Sequence, residues 1–445
     1  MLQQLSIRSH AVLACLIASC VLISSDSLAQ INNAESEHST AHLGVASCSA
    51  STCHGSTVPY TESNVLQNEF RTWYELDPHA RAYQTLLTDE SAKIARKLGL
   101  ESASTADTCL TCHADNVAPA QRGADFRLQD GVGCEACHGG AENYLKSHTL
   151  QAHIDNLSAG LRKTEDPLTR GKLCVSCHVG GQQTRQITHQ IMGAGHPRLS
   201  FELNTFSSIQ PAHYMVDEDY RQRKGEVSAI STWAMGQVVA AEQLLLNVAN
   251  KPRAGLFPEL SHMDCLGCHQ SMSKITWMPD SVTQLPSGTL RYQDAHLLSS
   301  YRIASVVAPE MAPTLLKSIR KFLTEAATQE NPNTLVQPLT EQLSELQLKL
   351  AASTISAQQT YQLIAALVDY GIESGHHSYA SAEQLAMGLN SLFNALSQSN
   401  FDAQTKQRLI PIINELFTSA ADPERYNAAA FMRNLRRIKP AMSEL

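Results

Sequence analysis

Cys109-Leu110-Thr111-Cys112-His113, Cys134-Glu135-Ala136-Cys137-His138, Cys174-Val175-Ser176-Cys177-His178 and Cys265-Leu266-Gly267-Cys268-His269 repeat one pattern: two cysteines two residues apart, then a histidine. This order is the signature of covalent c-type haem attachment. Two thiols form thioethers with the porphyrin vinyl groups, and the turn between them delivers the next imidazole beneath the iron. A fifth pair is stretched: Cys48-Ser49-Ala50-Ser51-Thr52-Cys53-His54 places four residues between its cysteines yet keeps histidine directly after the second. The expectation is five c-type haems with iron held from one side by His54, His113, His138, His178 and His269.

Zinc ribbons also use paired C-x-x-C units, but they need no histidine after each second cysteine. A thioredoxin-like dithiol would need one motif beside a βαβ pattern, and none is present. Of the 12 cysteines, Cys15 and Cys20 lie in an apolar leader, and the other ten are all used by the five motifs, so no disulfide is expected. Gly55, Gly139-Gly140 and Gly180-Gly181 follow three of the motif histidines, either for close backbone approach to a flat macrocycle or as ordinary loop punctuation.

Arg8, the apolar run Ala11–Ile23 and the small residues Ser27-Leu28-Ala29 read as a signal peptide over residues 1–29. The chain is therefore expected in the periplasm. The run is shorter than the roughly 20 residues that span a bilayer. A rival reading takes Ile17-Ala18-Ser19-Cys20 as a lipoprotein box, with a lipid anchor at Cys20 and membrane association. The 445 residues are 43% hydrophobic and 17% charged, which points to a soluble globular protein rather than disorder or a multispan membrane protein. A formal net charge of −8, before any haem propionates, argues against a nucleic-acid partner. Redox proteins, either other cytochromes or quinol-linked donors, are the expected partners.

A second histidine on each iron decides between carrier and enzyme. A bis-histidine haem is saturated and shuttles electrons, whereas an open face can bind substrate. His79 follows Asp77-Pro78, an N-cap and first-turn pair that starts a helix and presents the imidazole rigidly. His196 sits in Gly193-Ala194-Gly195-His196-Pro197, where proline keeps it out of the α region and glycines permit close approach. His148 and His189 are further distal candidates, ahead of His42 and His213. His262 stands too near Cys265 to serve that haem. The remaining histidines, among them His296 and the pair His376-His377, read as solvated surface residues.

Helical periodicity dominates and two-residue alternation is rare, so the fold class is mainly α with low sheet content. Asn64–Leu100 reads as two or three helices, with Asp89 capping the last and Gly99 ending it. Asp166-Pro167 starts another. Val227, Ile230, Ala234, Val238, Ala241, Leu245 and Val248 mark a long amphipathic helix ending near Lys251-Pro252, whose face with Trp233 serves helix packing or covers a haem. Leu339, Leu343, Leu346 and Leu350, then Leu385, Leu389, Leu392 and Leu396, mark later helices, and Asp422-Pro423 starts the last. The expected organisation is a pentahaem domain over 30–300 and a helical bundle or extension over 301–445.

The clustered motifs, Trp73 with His79, and Gly195-His196-Pro197-Arg198-Leu199 with Phe201-Glu202 resemble multihaem cytochromes of the cytochrome c-554 type, over roughly residues 40–275. That superfamily includes hydroxylamine oxidoreductase and pentahaem nitrite reductase. The resemblance implies a periplasmic, mostly helical protein with haems in stacked pairs and mostly bis-histidine ligation, carried over here to His79, His148, His189 and His196. Two departures stand out. Every motif ends in histidine, where a nitrite-reductase-like active haem has lysine, and the first motif is longer than usual. The reading is therefore electron transfer through five haems. The alternative is a haem oxidoreductase acting on small nitrogen or sulfur oxyanions at one five-coordinate iron.

Overall fold

Capping side chains place the first helices. In the computed structural model, Asp77 accepts the backbone N–H of His79 and opens a 3₁₀ turn, Pro78–Arg81. Thr88, one residue before the expected Asp89, caps the helix that Gly99 terminates at φ +72°. Asp89 becomes its first residue, where a carboxylate suits the positive end of the helix dipole. The described residues are 40–445 except 64, 151, 182–184, 227, 251–257, 270–280, 287–288, 375–377, 399–402 and 443–445. The leader, Cys20, His38, Val227 and His376-His377 lie outside them.

The helices run α1 (Glu69–Leu76), α2 (Ala82–Thr85), α3 (Asp89–Lys97), α4 (Asp107–His113), α5 (Cys134–His138) and α6 (His153–Ser158). Then come α7 (Pro167–His178), α8 (His189–Ala194), α9 (Leu203–Ile209), α10 (Glu218–Lys224) and α11 (Ala229–Asn250). The C-terminal set is α12 (Ala295–Val307), α13 (Ala312–Glu325), α14 (Asn333–Ala352), α15 (Ala357–Glu373), α16 (Tyr379–Gln398), α17 (Ala403–Ser419) and α18 (Ala428–Met442). Among the described residues there is no strand, only the bridges His42–Arg122 and Met263–Tyr292, so the mainly α expectation holds. No described helix is long and apolar enough to cross a membrane.

Chain contacts divide the molecule into two compact units. One comprises residues up to Gly44, Val117–Phe126 and Cys134–Arg162. Its centre is Glu135, only 3% exposed, whose carboxylate accepts the N–H groups of Leu43, Gly44 and Ala141 at 2.7, 2.7 and 2.8 Å. Three donors on one buried carboxylate fasten the N-terminal segment to α5, because leaving any of them unmet in the interior would cost free energy.

The other unit comprises Val45–Asn116, Arg127–Gly133 and Lys163–Leu445. A small core of Tyr83, Leu86, Ala95, Ala103, Leu110 and Ala114 holds α2, α3 and α4. A much larger core runs from Val175 in α7 to Ile438 in α18. At its heart α11 packs against α7, α9, α12, α14 and α16. The expected amphipathic stripe is corrected here: Thr232–Ala241 is buried without interruption, the mark of a helix enclosed on all sides. Trp233, 1% exposed, lies against Gly388 of α16, where an added Cβ would come within 2.8 Å of its indole nitrogen. The leucines at 339, 343, 346 and 350 and at 385, 389, 392 and 396 all face this core. The last helix starts later than Asp422-Pro423 implies. Asp422 accepts the N–H of Glu424 in a turn, and Asn427 accepts that of Ala430 at the start of α18.

Candidate haem-binding sites

Four motifs sit at helix or turn ends. Cys109–His113 closes α4, Cys134–His138 forms α5, Cys174–His178 is the last part of α7, and Cys265–Gly267 is a 3₁₀ turn. In the last, His269 donates its N–H to Cys265 O at 2.7 Å. The stretched motif reaches the same end differently: His54 donates its N–H to Cys48 O at 3.2 Å, and Gly55 donates to Ala50 O at 3.0 Å. Gly55 is required by sterics, since a Cβ there would fall 1.9 Å from Ser49 O. Gly139 has φ +84°, and a Cβ would meet Gly160 O at 2.4 Å. Both glycines are required by neighbouring backbone carbonyls, which is the loop reading rather than an approach to a macrocycle. All ten described cysteines are free of disulfides.

The fold brings predicted histidines together across long sequence distances. His79 and His178 have ring centroids 5.9 Å apart, His113 and His196 6.4 Å, and His189 and His269 6.1 Å. In each pair one ring belongs to an attachment motif and the other to a distal candidate. Two imidazoles on one metal, with metal–nitrogen bonds of about 2 Å, place their ring centres about 6 Å apart. The three pairs fit an iron between them.

Hydrogen bonds at Nδ1 prepare these rings. His79 Nδ1 donates to Asp77 Oδ1 at 2.8 Å, His113 Nδ1 to Ala82 O at 3.0 Å, and His196 Nδ1 to Pro197 O at 2.7 Å. A backbone carbonyl can only accept, so Nδ1 carries the proton and Nε2 keeps the lone pair a metal needs. His54 Nδ1 meets Glu69 Oε2 at 2.9 Å in the same manner. Burial lowers the pKa of His178 to about 4, helped by the neighbouring charge of His79. Burial also lowers that of His113. Both are thus neutral, the ligating form. Burial of Asp77 opposes its charge, but hydrogen bonds from His79 and Gln210 outweigh this and hold its carboxyl at about 2. Asp77 in turn raises the pKa of His79. These orienting acceptors, Asp77, Glu69 and the Ala82 carbonyl, were not singled out by sequence as partners of the rings.

Other groups surround the pairs. His178 stacks on Phe201 at 4.9 Å, and Trp73 Nε1 donates to Val132 O at 3.1 Å. Cys177 Sγ points toward Thr111 O at 3.9 Å, one residue from Cys112. The second and fourth motifs along the chain are therefore immediate neighbours. In the smaller unit, His148 Nδ1 is held by Tyr144 O at 3.1 Å. There His42 lies beside Gly140, two residues past His138, with its Cδ2 2.8 Å from where a Cβ would stand. His296 contradicts its reading as a solvated surface residue. It lines an interior cavity, bonds to Gln237 and has its pKa lowered to about 4 by burial.

Searches of curated proteins and of solved structures returned no match. Residues 47–139, which contain the motifs ending at His54, His113 and His138, match the model of the family described as cytochrome c554 and c-prime. With the attachment motifs and that match in hand, residues 47–139 form a segment of the c-type cytochrome family of the c554 type, which brings covalently bound haem and electron transfer.

Proposed function

We propose that the protein is an exported periplasmic electron carrier with a haem on each of its five cysteine pairs. The observation that carries this reading is the set of three imidazole pairs at 5.9–6.4 Å. His178 and His79 would hold the iron of the Cys174/Cys177 haem, His113 and His196 that of Cys109/Cys112, and His269 and His189 that of Cys265/Cys268. His138 binds the Cys134/Cys137 haem from one side, with His148 as the other ligand. His54, oriented by Glu69, binds the haem of Cys48 and Cys53.

The bound haems supply the one-electron chemistry. The chain's own residues supply everything else. Asp77 and the Ala82 and Pro197 carbonyls hold protons on Nδ1 so that Nε2 faces the metal. Burial keeps His113 and His178 neutral and limits water around the rings. The Thr111–Cys177 contact brings two attachment sites together, as passage of electrons between haems requires. The three paired irons, with imidazole on both faces, have no open position for substrate, which favours electron carrying over oxyanion reduction at those haems. Redox proteins are the partners this role calls for.

Mass spectrometry of the exported protein tests the count: five haem additions are expected, and fewer would overturn it. Electron paramagnetic resonance tests the ligation. Low-spin ferric signals should dominate, and a high-spin majority would reject the carrier reading.

A further inference from the structure

The start of α1 and the loop before it fold back on the first attachment motif at three points. Ser56 donates its N–H to Gln67 O at 2.7 Å, Phe70 donates its N–H to His54 O at 3.0 Å, and His54 Nδ1 meets Glu69 Oε2 at 2.9 Å. Gln67 has φ +56°, one of two non-glycine residues with a left-handed backbone among the described residues. A residue with a side chain is strained there, and such strain persists only where the surrounding bonds over-determine it. The twist aims the Gln67 N–H at Glu69 Oε1, 3.1 Å away. One carboxylate oxygen is thus tied to its own loop, and the other is presented to the imidazole.

The Glu69 side chain is 16% exposed, and a carboxylate is an ion at neutral pH. The Gln67 N–H is a neutral donor that leaves this charge in place. An acceptor on Nδ1 draws its proton outward and makes Nε2 more basic toward a metal. An anion does so more strongly than a carbonyl, and in a half-buried place its charge is also felt directly at the iron. Both effects favour the ferric state, which carries one more positive charge, and so lower the reduction potential. The rings assigned to the Cys109/Cys112 haem have carbonyls instead: His113 Nδ1 is bonded to Ala82 O and His196 Nδ1 to Pro197 O.

We propose that Glu69 is a positioning residue whose charge, acting through His54, sets the Cys48/Cys53 haem at a lower reduction potential than the Cys109/Cys112 haem. The inference rests on the reading that both cysteine pairs carry haem. Its consequence is a direction: the downhill transfer oxidises ferrous iron at the stretched motif and reduces ferric iron at Cys109/Cys112, one electron for one.

The test is a spectroelectrochemical titration of the haem-loaded full chain. Each component is assigned through nuclear Overhauser contacts between haem methyl groups and the side chains beside each motif. Glu69→Gln keeps the shape and an acceptor for Nδ1 but removes the charge, so a purely structural role would survive it. The Cys48/Cys53 component should rise by about 59 mV, a tenfold change in a one-electron equilibrium, and the other components should hold. Glu75→Gln is the control, because it removes the same charge from an exposed position of α1, where Glu75 pairs with Arg71 at 2.6 Å. It should move none of the potentials. A shift less than half the expected size, an equal shift in Glu75→Gln, or a Cys48/Cys53 component above that of Cys109/Cys112 in the unaltered protein would overturn the proposal. If Glu69→Gln does not fold, the order of the two potentials in the unaltered protein decides alone. Peptide mass mapping separates the two readings. Cysteines 48 and 53 without haem would refute the five-haem reading and this inference with it, whereas haem in place with an unmoved potential refutes this inference only.

Discussion

Asp77 shows how one side chain serves both ligation and stability. Asp77→Asn keeps the shape but weakens the acceptor for His79 Nδ1. Loss of such an orienting partner typically weakens a metal–imidazole bond about 10–100-fold. We expect a new high-spin fraction in the resonance spectrum, confined to the Cys174/Cys177 haem. The same carboxylate makes a pH prediction. Its folded pKa, about 2, lies below the ordinary 3.8, so its contribution is present above about pH 4 and lost as pH falls through about 2. That contribution is worth up to about 2 kcal/mol. Acid titration of the unfolding free energy should therefore show a smaller decline in Asp77→Asn. Removing the imidazole altogether, in His196→Ala, should turn the Cys109/Cys112 haem high-spin and let that haem bind cyanide, which it should not do in the unaltered protein. At this scale the attachment motifs are read directly from the sequence, because their chemistry is local. The pairing of His79 with His178, 99 positions later in the chain, was not, since no local pattern encodes which distant ring arrives. His296 was missed for the same reason: α12 enters the core through its packing on α11, α13 and α15, which no local pattern announces.

Among the elements, steric fit decides what can change. A Cβ at position 388 would press on the Trp233 indole, a rigid plane in a filled core. Gly388→Ala should therefore destabilise the protein by about 1–3 kcal/mol, measured by denaturant melts. Helix starts with two coincident signals, such as Asp77-Pro78 and Asp166-Pro167, could be read directly because the cap and the fixed proline φ agree. Asp422-Pro423 carries the same pair but forms a turn, with α18 beginning only after Asn427. The enclosure of α11 was equally hidden, since its alanines and its Thr232, Gln237 and Asn247 look like a polar face until neighbours cover them.

For the whole molecule, the continuous core from Val175 to Ile438 ties an attachment helix to the last helix of the chain. A chain ending at residue 300 would expose the apolar faces of α7 and α11. It should fail to fold cooperatively and should lose the Cys174/Cys177 haem first, as followed by circular dichroism and haem staining. Recovery of a fully loaded, cooperatively melting fragment would show that residues 301–445 are dispensable for the core. The position of α7 also sets a timetable. Val175, between the two thiols of its motif, has no solvent exposure once the core closes, and Cys174 packs against the same core. On the proposed reading, porphyrin stitched to this helix has to be added while the chain is still open, so that the pigment becomes part of what the later helices fold around.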